Sequence, residues 1–103
     1  MTQYQTRQLA DELKPPEAGK QSVVLVDNVN TKAVLFAFAT GDGLAEHVAP
    51  LPATIHIVQG EATLTVGDET IAGKAGTWIQ MAPKTPHSIK TITPVVMLLT
   101  LHK

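Results

Sequence analysis

Beyond residue 14 no stretch of this chain carries apolar side chains at the 3.6-residue spacing of a helix; instead, short apolar runs alternate with Gly, Pro, Asn and Asp. That pattern narrows the fold more than any other feature. In EATLTV, Ala62, Leu64 and Val66 alternate with Thr63 and Thr65, the two-residue period of a half-buried strand. Gly67-Asp68 follow at once and suit a two-residue hairpin in which Gly supplies a positive φ, so ETIAG returns antiparallel. QSVVLV and KAVLFAFA flank DNVNT, whose Asp and Asn favour turns, and form a second hairpin. IHIVQG, TWIQM, SIKTI and PVVMLLTLH complete the set, each bounded by Gly or Pro. Seven or eight short strands with regular turns predict an all-β sandwich or barrel.

Only the opening segment reads differently. TQYQTRQLADEL places Thr2 and Gln5 at capping-box spacing and Leu9 and Leu13 four apart, before Pro15-Pro16 stop any helix. This predicts a short amphipathic helix over 3–13, a helix-and-linker segment over 1–19 and a barrel over 20–103. At 103 residues the expectation is a single domain over 1–103.

Charge excludes one class of partner. Eight Lys plus Arg against nine Asp plus Glu, without a basic block, leave no footprint for a phosphate backbone, so nucleic acid is not expected. With no cysteine there is no disulfide, thiolate metal site or cysteine nucleophile. No run approaches the roughly 18 apolar residues of a membrane span, and the first twenty residues lack a signal-peptide core. The expectation is a cytoplasmic protein that does not engage membranes.

The chemistry must then come from four histidines: His47, His56, His87 and His102. His47 and His56 are nine positions apart across Pro50 and Pro52, so they cannot share a helix face as a zinc-binding pair would. His56, between Ile55 and Ile57, reads as a polar residue facing away from the core. His102 reads as solvated. Met81 and Met97 read as core, Trp78 as core or interface. Ser22 and Ser88 stand in no nucleophile elbow.

Spacing over residues 41–87 adds a resemblance. Gly41, five residues, His47, and then Gly60 after PLPATIHIVQ resemble the first cupin motif, Gly-x5-His-x-His-x(3-4)-Glu-x6-Gly. Gly76, TWIQMAPKTP and His87 are similar to the second, Gly-x5-Pro-x-Gly-x2-His. Pro83 comes one place late, and Lys84 stands at the second glycine. The resemblance spans residues 20–101. It implies a jelly-roll (double-stranded β-helix) barrel of the small single-domain bacterial kind, paired as a homodimer, with a central pocket where motif histidines and a glutamate hold a divalent metal.

Two of the four ligand positions depart from that motif. The second histidine position is Ala49, and the glutamate position is Ala53, or Thr54 at the longer spacing. His47 and His87 remain, a reduced set that implies at most a weakly held divalent ion (Zn, Ni, Mn or Fe), since metal sites normally present three protein ligands or more. Glu46 and His56 sit on the wrong face to complete it. Gln80 offers an amide oxygen only if Trp78 and Gln80, rather than Ile79 and Met81, face inward, and the sequence leaves that open.

Two functions are compatible with this. The first is a small-molecule pocket lined by Phe36, Phe38, Ile55, Ile57, Gln80 and Met97, with His47 and His87 as its polar groups. The second is a metal-dependent oxygenase, isomerase or lyase built on the same pair with a recruited third ligand. The ligand or substrate is open in both. A homodimer using N-terminal strands is expected, since a small jelly roll has sheet edges to cover.

Overall fold

The computed structural model describes residues 3–103. Nine strands follow one short helix, α1 (Leu9–Glu12): β1 (Lys20–Asp27), β2 (Thr31–Phe38), β3 (Gly43–His47), β4 (Ala53–Gln59), β5 (Ala62–Val66), β6 (Glu69–Gly73), β7 (Trp78–Met81), β8 (His87–Thr91) and β9 (Val95–His102). They form a five-stranded sheet, β1-β2-β9-β4-β7, and a four-stranded sheet, β3-β8-β5-β6. Every pairing is antiparallel. The all-β barrel read from the strand pattern is therefore the fold.

Alternation decides which side chains meet between the sheets. Phe38, Ile55, Ile57, Met81, Val95 and Met97 from the larger sheet pack against Ala62, Leu64 and Ile89 from the smaller. Removing a side chain such as Phe38 or Leu64, both fully buried, from water contributes roughly 1.5–3 kcal/mol each. β9 lies centrally, between β2 and β4. Its successive residues Val95 and Val96 are both 0 % exposed, because each face of the sheet is covered there. That double burial explains why VVMLLTLH is a continuous apolar run rather than an alternating one.

The cover on the outer face comes from the N-terminal segment. Leu9 and Leu13 pack over Leu35, Ala37 and Val96. The helix predicted over 3–13 shrinks to the single turn Leu9–Glu12, with Gln8 at its start making no side-chain cap. Upstream, the Gln5 side chain donates to the Leu25 carbonyl of β1 at 3.3 Å, tying the segment to the sheet instead. Leu13 is already extended (φ −151°) ahead of the two prolines. A helix this short has no stability of its own, so contact with the sheet decides its extent. Thr2, half of the capping box, lies outside the described residues.

The hairpin at Gly67 forms as read. Val66 pairs with Glu69, and Gly67 alone of the two turn residues has positive φ (57°), as a type II′ turn requires. β3 is the strand absent from the strand reading. GLAEH lacks β-branched residues, lies at a sheet edge and is mostly exposed.

Candidate functional site

The edge strand β3 carries a bulge that sets up the site. Leu44 pairs with Ile89, yet the next paired residues are His47 and His87, three steps along β3 against two along β8. One extra residue on β3 shifts which side chain faces His87: without it, Glu46 would stand there. With it, the two imidazoles meet at a ring-centroid separation of 4.2 Å and an interplanar angle of 59°. His87 is buried and His47 exposed, so the pair spans the edge of the barrel interior.

Each ring is anchored in the same way. His47 Nδ1 lies 2.8 Å from the Ala45 carbonyl, and His87 Nδ1 lies 2.8 Å from the Thr85 carbonyl. A carbonyl only accepts, so Nδ1 is the protonated nitrogen in both. In the neutral form each Nε2 is then left with a free lone pair. Two acceptors side by side suit a hydrogen-bond donor, or a cation, placed between them.

The surroundings are apolar. Leu44, Ile55, Ile89, Met97 and Leu99 border the pair, with Ser88 beside them. The cavity is small, ≈ 10 Å³, about the room one ordered water takes. The space beside the imidazoles has room for a small polar group and not for a whole organic molecule. A wider cleft of ≈ 580 Å³ lies over Gly43, Glu46, Thr63, Thr65 and Lys90, but it is shallow, open to solvent and contains no histidine.

The pocket-lining residues expected from sequence divide into three groups. Ile55 and Met97 border the histidines. Phe38 and Ile57 are fully buried in the filled core, with Phe36 packed against it and stacked on Phe38 at 5.7 Å; none of the three borders the pair. Gln80 is corrected outward. β4 and β7 pair Ile55 with Ile79 and Ala53 with Met81 on the inner face, and Thr54 with Gln80 on the outer, where Gln80 is exposed. Trp78 shares that outer face and is 62 % exposed, so it is not core. His56 pairs with Trp78, opposite in direction to Ile55 and Ile57. His102 is exposed, though its Nε2 lies 2.8 Å from Thr54 Oγ1.

Sequence reasoning missed Leu44, Ile89 and Leu99. Leu44 sits on the unread strand, and Leu99 lies in a run whose inward positions cannot be told from its outward ones.

The loop 82–86 leads into His87 at the start of β8. Lys84 N–H donates to Ala49 O at 2.7 Å, joining this loop to the segment that follows His47. Lys84 has φ +65° and is the one described non-glycine residue with positive φ. The left-handed backbone accounts for glycine at this place in the cupin motif.

Measured against a metal, the donor set is incomplete. An Nδ1–H bonded to a carbonyl is the usual support for a ligating imidazole, and both histidines have it. Among the described residues, however, no three His, Cys, Asp or Glu side chains gather to hold an ion. Ala53, at the motif's glutamate position, is buried in the core. Two imidazoles alone do not fit a resident catalytic metal.

Residues 34–101 match the family model described as "Cupin domain". The chain belongs to the cupins. A conserved protein of unknown function from Streptococcus pyogenes is 24 % identical, with TM-score 0.87 over 100 % of this chain and 90 % of that one. A cupin superfamily protein from Desulfitobacterium hafniense is likewise 24 % identical, with TM-score 0.88 over 99 % and 94 %. A cupin 2 conserved barrel domain protein from Leptotrichia buccalis is 27 % identical, with TM-score 0.85 over 92 % of this chain and 46 % of that one. No curated protein matches the chain. Among the described residues no helix of this cupin is long and apolar enough to cross a membrane.

Proposed function

We propose that this cupin binds a small organic molecule at the mouth of its barrel, with His47 and His87 as the polar anchor. The observation that carries the reading is the pair of Nε2 acceptors, held by carbonyl-bound Nδ1 atoms at the edge of an apolar interior. A ligand hydroxyl or amide N–H inserted between them satisfies both, while Leu44 and Leu99 exclude water around it. Catalysis is not required: no carboxylate orients either ring, and the carbonyls that do are only hydrogen-bond acceptors.

The second reading, a metal-dependent oxygenase, isomerase or lyase, draws on the same tautomers, which suit nitrogen ligation. It lacks a third protein ligand, so a divalent ion would be held weakly. Metal analysis of untagged protein, followed by titration with Mn, Fe, Ni and Zn against wild type, His47→Ala and His87→Ala, separates the two. The expected result is substoichiometric metal as purified and at most weak binding that either substitution abolishes. A tightly bound stoichiometric ion lost in either variant would overturn the first reading.

We also propose a homodimer formed through the N-terminal strands. β1 is an edge of the five-stranded sheet, and its Val24 is half-exposed, the kind of edge that proteins cover. Light scattering at micromolar concentration is expected to return twice the 11.0 kDa chain mass; a monomer rejects it.

A further inference from the structure

The fold takes Trp78 out of the core and sets it on the outer face of the five-stranded sheet, 62 % exposed. The two phenylalanines stack against the core, whereas the chain's only tryptophan and only tyrosine both stand in solvent. Tyr4, 76 % exposed, is next to Gln5, which is tied to Leu25 of β1. Interfaces favour these two residue types, because each brings a large apolar area with one polar handle.

The surface around Trp78 is also uncharged. No Asp, Glu, Lys or Arg stands at an outward position of the paired residues of β2, β9, β4 and β7. A sheet face that meets only water normally carries polar and charged side chains. Over β2 and the near end of β9 the reason is visible: Leu9 and Leu13 cover Leu35, Ala37 and Val96. Over β4 and β7, Trp78 and Gln80 stay exposed, and their neighbours His56 and Leu98 are only half-buried. The outer face is one uncharged surface, half covered by the N-terminal segment and half bare, with the depletion of charge found at interface cores.

Area decides what fits the bare half. β9, β4 and β7 have 8, 7 and 4 residues. At about 3.3 Å per residue and about 4.8 Å between strands they span roughly 300 Å². A specific interface takes about 600–1,000 Å² from each partner, so the bare half alone is too small. A second copy meets the shortage by symmetry. Across a two-fold axis the N-terminal half of each copy faces the bare half of the other, and both halves are used at once. Including β1 and β2, of 8 residues each, the flat footprint reaches roughly 550 Å², which the protruding N-terminal segment raises into the required range.

We propose that the bare half, centred on Trp78 and His56, receives the N-terminal segment of a second copy, so that the two five-stranded sheets lie back to back. This rests on the homodimer proposed above and names the surface it occupies. Trp78 is the chain's only tryptophan, so its emission reports that surface alone. Wild type is diluted from micromolar to nanomolar concentration, with mass followed by light scattering and sedimentation, and Trp78 by its emission maximum and acrylamide quenching.

The emission is expected to move to the red, and quenching to rise, over the range in which the mass halves. Trp78→Gln changes a solvent-facing side chain of the single chain and leaves its fold intact, which circular dichroism checks; His56→Glu keeps the tryptophan and puts a charge on the same surface. Both are expected to raise the dissociation constant about thirtyfold or more, the scale of an interface hot spot. Ile92→Lys, at an exposed apolar position between β8 and β9, leaves it unchanged. A wild-type dimer whose Trp78 stays solvent-like at every concentration, and which both variants leave intact, overturns this surface and keeps the homodimer. A monomer with solvent-like Trp78 sinks both readings. A monomer whose Trp78 is already shielded assigns the bare half to the chain's own N-terminus and overturns the proposal as well.

Discussion

Thr91 and His87 lie at opposite ends of β8 on the same inward face, and both are buried, at 4 % and 6 % exposure. At the closed end, the Thr91 hydroxyl stands 2.7 Å from Ala39 O and 3.0 Å from Asp42 O, so its hydrogen-bonding capacity is used within the fold. At the open end, His87 is fixed through one nitrogen only, and its ring stands 4.2 Å from that of His47. Burying a polar group is costly unless it is partnered. A polar residue whose partners are all internal is explained by the fold; one with a donor or acceptor left over points to something outside it.

The contrast predicts unequal costs. Thr91→Val keeps the shape but removes the buried hydroxyl bonds, and with Ala39 O and Asp42 O each still accepting from a backbone N–H it should lower stability by about 1–1.5 kcal/mol while leaving the histidine mouth intact. His87→Leu loses one bond to Thr85 O but places an apolar side chain against Ile89, Met97 and Leu99, so its net effect should stay within about 1 kcal/mol. Urea unfolding of both variants measures this directly. If His87→Leu costs as much as Thr91→Val, the histidine is a structural residue and the distinction between the two ends collapses.

The barrel's walls and its open end also differ in how far they could be read from sequence. The walls rest on period-two alternation in β4 and β5, a local signal that survives in the fold, as does the Gly67 hairpin, which turns beside His87 with Gly67 N–H donating to Pro86 O. The open end rests on β3, where Gly, Ala and charged residues carry no strand signal, and on a bulge that no local pattern announces. His47 and His87 are 40 positions apart, and only the motif resemblance joins them in advance. Gln80 was ambiguous because TWIQM alternates with a large apolar residue in each set, Trp78 in one and Ile79 and Met81 in the other; pairing with β4 decides it. The four-residue helix shows the converse, a local pattern overruled by contact with the sheet.

The smallest expected effect comes from a polar pair that neither end needs. Lys103 Nζ lies 2.7 Å from Asp27 Oδ1. Its hydrogen bond and charge hold the Asp27 carboxyl below the ordinary value of 3.8, helped slightly by Lys32. A carboxyl whose folded pKa is depressed contributes stability above its unfolded pKa and loses that contribution as pH falls through the folded one. The pair should therefore leave stability flat above about pH 5 and weaken it only below about pH 4. Because Asp27 is exposed, water and salt screen the interaction and keep it small. Melting curves of wild type and Lys103→Met at pH 3 and pH 6, in low salt and in 1 M NaCl, should differ slightly at pH 6 in low salt and converge at pH 3 and in high salt. A gap that persists at pH 3 in high salt would assign Lys103 a packing role instead, through its contact with the β1 end. It would also show that solvent exposure alone does not separate polar groups that matter to this fold from those that do not.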